Sequence, residues 1–165
     1  MKMKRFTFMW LVIIPLLMGL NDCKPEPDTP VTPYKPPLVR LLTERILKST
    51  ILNRDIKYAI LLPKQYDSVN TKYPVVYLLH GFGDDEKAWY TWGDIMTYAE
   101  ANDPGLVPMI YVMPQGFNSY WVNQYDGAFS YMDMLIKEMV PKIDQLYHTI
   151  KDPQHRAVMG YSMGG

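Results

Sequence analysis

The sequence contains few of the residues that build disulfide frameworks and metal centres. Its 165 residues include one cysteine and three histidines. One cysteine excludes an intrachain disulfide and a cysteine-rich zinc site, and three histidines leave little room for a histidine-based metal cluster. The 17 basic and 17 acidic side chains cancel, so no excess charge favours a nucleic-acid partner. These absences exclude classes of protein without naming one.

The N-terminal region also lacks a hydrophobic segment long enough to cross a bilayer as a helix. Residues 6–20 run for 15 residues without a charge, behind a short basic head. That length is typical of a signal-peptide core. Cys23 follows and resembles the lipidated cysteine of bacterial lipoproteins, although Asp22 stands where that pattern has a small residue.

We therefore predict that residues 1–22 are a signal peptide of the lipoprotein type and that Cys23 is lipidated. The protein is then exported to the cell envelope, either anchored in the outer membrane or secreted to the periplasm. A lipid on Cys23 would be its only membrane attachment. An ordinary secreted protein with an incidental thiol is the alternative.

Proline is concentrated behind the predicted signal peptide. Residues 23–40 hold six of the 14 prolines. Because proline fixes φ and cannot donate to a strand ladder, residues 23–43 are predicted to be an extended tether, with a disordered leader as the alternative. The folded domain is expected over residues 44–165.

Residues 44–165 alternate between strand-like and helix-like patterns. Strands are predicted over residues 49–55, 56–62, 74–79, 108–113 and 156–160, and helices over residues 86–101 and 130–148. The two apolar runs in the middle of this order favour strands covered on both faces, as in a parallel sheet. The order predicts an α/β fold, with a mostly parallel sheet and helices on both faces.

The second predicted helix has an apolar stripe and one residue that interrupts it. Leu135, Met139 and Ile143 recur at steps of four. Pro141 lacks the N–H that a helix interior needs, so we expect a kink near Lys137.

The predicted last strand runs into a nucleophile-elbow pattern, G-x-S-x-G, formed by Gly160, Ser162 and Gly164. A serine on a sharp strand-to-helix turn has its hydroxyl lifted clear of the sheet, and the flanking glycines allow strand and helix to approach closely. The pattern predicts that Ser162 is a catalytic nucleophile. Three fixed positions recur by chance, so the pattern needs support from elsewhere in the chain.

A second motif supplies that support. His80, Gly81, Phe82 and Gly83 end another predicted buried strand. Acyl transfer builds negative charge on a carbonyl oxygen, which two backbone N–H groups can stabilise. We predict that Phe82 and Met163 provide these donors, with the neighbouring glycines shaping the turn. A strand-end turn around a packed histidine is the plainer interpretation of this segment taken alone.

These motifs resemble the esterase family of α/β-hydrolases that includes feruloyl esterases, acetylxylan esterases, S-formylglutathione hydrolase and the mycolyltransferases. The resemblance is carried by VVYLLHGFGDDEKAW, PMIYVMPQG, DMLIKEMVPKIDQLYHT and HRAVMGYSMGG. It implies a serine esterase without metal or organic cofactor, acting on feruloyl or acetyl esters of plant cell-wall polysaccharide. Ser162 maps onto the nucleophile, and Phe82 and Met163 map onto the oxyanion donors.

The sequence departs from this family after the elbow. The family places the acidic and histidine members of the triad after the serine, whereas only three residues follow Ser162 here. His80, His148 and His155 are expected to be structural. We expect the chain to be the N-terminal part of a longer hydrolase, cut after the elbow, and to have no useful esterase activity alone. An acyltransferase of the mycolyltransferase type, or a non-catalytic tethered carbohydrate-binding lipoprotein, is the alternative.

Two further predictions concern the charged and the aromatic residues near these motifs. The carboxylates of Asp84, Asp85, Glu86 and Asp126 are expected to be solvated loop charges. The aromatic residues Trp89, Trp92, Tyr120 and Trp121 lie in or near predicted loops, where they could line an acyl or glycan pocket, although core packing is the plainer explanation.

Overall fold

The computed structural model describes residues 40–64, 66–67, 70–91, 105 and 107–165. Its strands are β1 (Arg40–Ser49), β2 (Arg54–Leu62), β3 (Val75–Leu79), β4 (Ile110–Pro114) and β5 (Arg156–Gly160). Its helices are α1 (Ala88–Thr91), α2 (Tyr131–Met134), a π-helical turn (Leu135–Met139), α3 (Val140–Leu146) and the 3-10 turns Pro153–His155 and Ser162–Gly164. The predicted signal peptide, Cys23 and nearly all of the predicted tether lie outside these residues. No helix of the described part is long and apolar enough to cross a membrane.

The five strands form one mixed sheet in the order β1-β2-β4-β3-β5. Strand β3 pairs in parallel with β4 on one side and with β5 on the other. The hairpin of β1 and β2 extends this sheet by antiparallel pairing of β2 with β4. The predicted α/β class is confirmed, and its parallel part is β4-β3-β5.

The N-terminal hairpin begins earlier than the sequence pattern indicates. Strand β1 starts at Arg40, inside the predicted tether, and ends where a strand was predicted to start. Its side chains are mostly exposed, so it lacks the apolar alternation that marks a half-buried strand. A bulge between Leu42 and Arg45 interrupts its pairing, with Glu44 at a φ of 55°. Asn53, at a φ of 47°, closes the turn before β2.

Helices cover both faces of the sheet, as predicted. On one face, the fully buried strand residues Ile60, Val75 and Val112 pack with Met139 and Ile143 of the C-terminal helical segment. On the other face, a second set of buried strand side chains packs against the half-buried rings of α1. Its members are Ala59, Leu61, Val76, Leu78, Tyr111 and Met113, with Trp89 and Tyr90 from α1. Of the helix predicted over residues 86–101, the part from residue 92 onward lies outside the described residues.

Pro141 is accommodated by a π-helical turn, at the place where a kink was expected. The N–H of Val140 donates to the carbonyl of Leu135, five residues back. A wider turn of this kind admits one extra residue, so the proline is placed at the start of α3. The predicted stripe is confirmed at Met139 and Ile143, which are fully buried; at its start Leu135 is partly buried against the same core, and its neighbour Met134 is fully buried.

The π-helical turn also joins the helix to the hairpin. The carboxylate of Glu138 accepts hydrogen bonds from the Ser49 hydroxyl at 2.5 Å, the Thr50 N–H at 2.8 Å and the Ile51 N–H at 3.1 Å. Burial would raise the pKa of Glu138, but these hydrogen bonds outweigh it and hold the pKa below its ordinary value.

Candidate active site

Strand β5 leads into a tight turn that carries Ser162. Ser162 has a φ of 52°, in the left-handed region that a non-glycine residue adopts at a cost, and it is exposed. The N–H groups of Gly164 and Gly165 close the turn by donating to the carbonyls of Tyr161 and Ser162, at 2.9 and 3.1 Å. The Ser162 hydroxyl makes no hydrogen bond to another described residue. It is therefore accessible to a ligand.

The two outer glycines of this turn have no room for a side chain. A Cβ on Gly160 would lie 2.0 Å from the carbonyl oxygen of Gly164, and a Cβ on Gly164 would lie 2.6 Å from the carbonyl oxygen of Leu79. Leu79 is also the partner of Gly160 in the parallel register of β3 and β5. The turn after β5 therefore lies directly beside the segment that leaves β3.

The segment leaving β3 folds into a second tight turn over residues 81–84. The N–H of Asp84 donates to the carbonyl of Gly81 at 3.3 Å, and Gly83 has a φ of 82°. The N–H of Gly83 donates to the side-chain oxygen of Asn118 at 2.9 Å. The N–H of Phe82 donates to no other described residue. This N–H group is therefore able to donate to a ligand, whereas the neighbouring peptide groups already form hydrogen bonds.

His80 fixes the base of this turn. Its side chain is fully buried, and its Nε2 accepts the N–H of Gly116 at 2.8 Å. The proton therefore resides on Nδ1, which lies 2.7 Å from the carbonyl oxygen of Gly81. Trp121 packs its ring 5.0 Å from the imidazole and donates its indole N–H to the His80 carbonyl at 3.2 Å. Both ring nitrogens are engaged, so His80 ties the loops after β3 and β4 together.

Met163 contributes the other predicted oxyanion donor. It follows Ser162 in the 3-10 turn, and its side chain packs against the larger core. Within the described part of the chain, its N–H donates to no carbonyl or side chain. The structure thus places two unpaired N–H groups, those of Phe82 and Met163, at the carboxyl end of the parallel strands, where the Ser162 hydroxyl also lies.

Comparison with known proteins places these motifs in a family. The sequence model of the family described as "Putative esterase" matches residues 49–165. The chain belongs to this esterase family. The fold agrees, because a solved ferulic acid esterase superimposes with a TM-score of 0.67 at 30% identity, over 76% of this chain and 51% of that chain.

Other esterases show the same likeness. A ferulic acid esterase from Anaeromyces mucronatus has a TM-score of 0.64 at 25% identity, over 86% of this chain and 56% of that chain. An "Endo-1,4-beta-xylanase/feruloyl esterase" of Xylanibacter ruminicola is 35% identical over 116 aligned positions, and the match covers 64% of this chain and 16% of that protein. The resemblance drawn from the motifs is confirmed, and the chain spans about half the length of these solved esterases.

No described histidine of this chain reaches Ser162. His155 lies at the opposite end of β5 and pairs with Asp152, 2.7 Å from Nδ1 to Oδ2. His148 follows α3 and stacks on Tyr66, with 5.0 Å between ring centroids. Together with the locked ring of His80, this leaves the general base of the family's chemistry without a candidate among the described residues.

The expectation that four nearby carboxylates are solvated loop charges is wrong for two of them. Glu86 is buried, at 4% exposure, and Asp84 accepts a hydrogen bond from the Tyr161 hydroxyl. Asp85 and Asp126 each accept a backbone N–H two residues further on, which stabilises their turns. The sequence did not predict the environments of Glu86 and Asp84, because the residues that contact them come from distant segments.

The aromatic residues near the site divide into a core set and an exposed set. Trp121 is 6% exposed, so the possibility that it lines a pocket is wrong and core packing is correct. Trp89 is half-buried against Tyr161, with 5.3 Å between ring centroids. Tyr120 and Phe82 are exposed, and their ring centroids are 6.3 Å apart. Trp92 lies outside the described residues.

The loop after β4 is held in a strained backbone conformation. Phe117, Tyr120 and Trp121 have φ values of 54°, 54° and 60°. The guanidinium of Arg54, at the start of β2, lies 4.3 Å from the centroid of the Phe117 ring. None of the three strained residues is a glycine or an asparagine, so the sequence carries no signal for this conformation.

Proposed function

We propose that Ser162 is the nucleophile of a serine carboxylic-ester hydrolase and that the N–H groups of Phe82 and Met163 bind the oxyanion. One observation carries this proposal. An exposed, unpaired hydroxyl stands on a left-handed turn after β5, beside a second turn whose Phe82 N–H is unpaired. Membership of the esterase family supports it.

The chemistry follows from these groups. The Ser162 oxygen attacks the ester carbonyl, its proton passes to a base, and the carbonyl oxygen becomes an anion. Two preorganised N–H donors stabilise that anion, each by about 3 kcal/mol on the scale of a single deleted donor. The base gives that proton to the departing alcohol, and water then hydrolyses the acyl group from Ser162 and restores its hydroxyl. The base comes from outside the described residues.

The proposed substrates are feruloyl or acetyl esters of plant polysaccharide. Three relatives are named as feruloyl or ferulic acid esterases, one of them joined to a xylanase. The exposed rings of Phe82 and Tyr120 offer an aromatic surface next to the oxyanion donor, and such surfaces favour aromatic acyl groups. A feruloyl ester should therefore acylate Ser162 faster than an acetyl ester with the same leaving group, and Tyr120→Ala should reduce that preference.

The proposed location is the cell envelope, with Cys23 as the lipid attachment site. The support is the charge-free segment at residues 6–20 followed by Cys23. Radiolabelled palmitate fed to a bacterial host should label the wild-type protein and not Cys23→Ser. Labelling of both, or of neither, would contradict the proposal.

Fluorophosphonate labelling tests the nucleophile directly. With imidazole added as the base, the folded wild-type chain should be labelled once, at Ser162, and Ser162→Ala or denatured protein should not. Ser130→Ala is a matched control, because the Ser130 hydroxyl makes no capping hydrogen bond to α2. Added imidazole replaces the general base in solution, so it should accelerate release of p-nitrophenol from p-nitrophenyl acetate by wild type beyond its effect on Ser162→Ala.

A folded chain that is neither labelled nor accelerated by imidazole would contradict the hydrolase. It would favour a non-catalytic, tethered carbohydrate-binding protein instead. The specific observation behind this second candidate is that no described histidine lies near Ser162. Retardation in a xylan gel, weakened by Tyr120→Ala, would then be the positive evidence.

A further inference from the structure

Tyr161, the residue immediately before Ser162, makes a long-range contact that the esterase chemistry above does not use. Its hydroxyl donates to the Oδ2 of Asp84 at 2.5 Å, across 77 positions of sequence. Burial raises the pKa of Tyr161, and the neighbouring Asp84 carboxylate raises it further. The hydroxyl therefore keeps its proton and remains a donor.

The ring of Tyr161 contacts the other end of the same turn. A Cβ on Gly81 would lie 2.7 Å from the Cε2 of Tyr161, so the ring lies flush against the Gly81 backbone. The N–H of Tyr161 approaches the carbonyl of Leu79 at 3.4 Å. The Trp89 ring packs against the Tyr161 ring at an angle of 71°, with 5.3 Å between the ring centroids. One side chain thus touches the turn at its first and its last residue.

The Phe82 N–H lies between these two contacts. The turn is closed internally by the hydrogen bond from Asp84 to Gly81, and Asn118 holds Gly83 from the opposite flank. Movement of the Phe82 peptide relative to Met163 therefore requires Tyr161 to separate from Asp84 or from Gly81. Met163 is fixed to Tyr161 by chain connectivity, two residues apart.

We propose that Tyr161 and Asp84 form a positioning pair that sets the spacing between the two oxyanion donors, Phe82 N–H and Met163 N–H. The proposal rests on the proposed function. An oxyanion donor acts at about 2.7–3.1 Å from the developing charge, and a displacement of about 1 Å lowers the rate by about 100-fold. A side chain that bridges the donors' two turns therefore affects the rate without touching the substrate.

The experiment compares Tyr161→Phe, Asp84→Ala and the double variant with wild type. The matched control is Tyr125→Phe, which removes a hydroxyl from a fully exposed ring. For p-nitrophenyl acetate, with imidazole where needed, each single variant should lose about tenfold in kcat with little change in KM. The double variant should lose about the same amount as either single variant, because both remove one interaction. Tyr125→Phe should match wild type.

An amide measurement decides the proposal independently of activity. Relaxation dispersion of the backbone amide of Phe82 should show exchange on the μs–ms timescale in both single variants and not in wild type or Tyr125→Phe. The melting temperatures should be unchanged, which excludes general unfolding. An undisturbed Phe82 amide, or losses in kcat that multiply in the double variant, would overturn the pair. A disturbed amide in a chain without any hydrolysis would leave the pair standing and overturn the proposed function instead.

Discussion

The carboxyl and amino ends of the parallel strands are built differently. At the carboxyl end, four non-glycine residues have left-handed backbones, namely Phe117, Tyr120, Trp121 and Ser162. At the amino end, no described residue in segments 63–75 or 147–156 has a positive φ. That end is instead joined by the stacked rings of Tyr66 and His148 and by the ion pair of Asp144 with Arg156.

The strained backbone conformations therefore lie at one end of the parallel strands, and the stacked rings and the ion pair lie at the other end. Strained backbones persist only where the surrounding packing determines them, and they concentrate at ligand and catalytic sites. Here the surrounding packing is the buried His80 and Trp121, which join the loops after β3 and β4. Substitutions at the carboxyl end should therefore affect both the reactivity of Ser162 and stability, whereas substitutions at the amino end should affect stability alone.

The largest effect is expected for Gly160→Ala at the carboxyl end. The new Cβ would overlap the Gly164 carbonyl, so the turn after β5 cannot close. We expect a loss of at least about 3 kcal/mol in the free energy of unfolding, measured by urea denaturation, together with loss of fluorophosphonate labelling. Gly127→Ala is the control. Gly127 has open space around it, and its substitution should cost about 1 kcal/mol because a φ of 73° disfavours a side chain. Equal stability of the two variants would refute the close approach.

An intermediate effect is expected for Asp144→Asn at the amino end. The Asp144 carboxylate accepts from Arg156 and, at 2.6 Å, from the Thr149 hydroxyl. Asparagine leaves the partly buried guanidinium without a charge partner, which should cost about 2 kcal/mol. Labelling of Ser162 under native conditions should be unchanged. Asp152→Asn, in an exposed pair, should not alter the urea midpoint measurably. Slower labelling in Asp144→Asn would show that the two ends are coupled.

The smallest effect is expected for Glu138→Gln, which tests a contact between the helix and the hairpin. The hydrogen bonds from Ser49 and Thr50 depress the pKa of Glu138 in the folded state. The stabilisation is therefore present above the ordinary carboxyl pKa and is lost as the pH falls through the folded-state pKa.

At neutral pH, the free energy of unfolding of wild type should exceed that of Glu138→Gln by about 1 kcal/mol. In acid, the urea midpoints of the two proteins should converge. Glu44→Gln on the exposed bulge of β1 is the control, and its urea midpoint at neutral pH should match that of wild type. A difference that persists unchanged in acid would assign the effect to packing and not to the charge.

The features that the sequence predicted are those encoded over short stretches of chain. The continuous apolar runs located β3 and β4, and the polar loop before residue 156 located β5, each within two residues. The glycine spacing around Ser162 predicted a tight turn, which is present with Ser162 at a left-handed φ. The roles assigned to Ser162, Phe82 and Met163 stay predictions.

The features that the sequence did not predict depend on contacts between distant segments. Strand β1 is an edge strand with mostly exposed side chains, so its residues carry no burial pattern. Burial of Glu86 and the Asp84–Tyr161 hydrogen bond are set by how the loops meet, which no local pattern records. Trp121 differs from Tyr120 in burial although the two are adjacent, because only the indole reaches the His80 carbonyl.

The π-helical turn has a consequence for how sequences of this family should be aligned. Met134 and Met139 are both fully buried in the same core, yet they lie five positions apart, where a regular helix would bring back the same face after three or four. The extra residue is absorbed locally, and Ile143 still points inward. We therefore expect homologues without a proline at position 141 to be one residue shorter between Leu135 and Met139, with every later element in the same place.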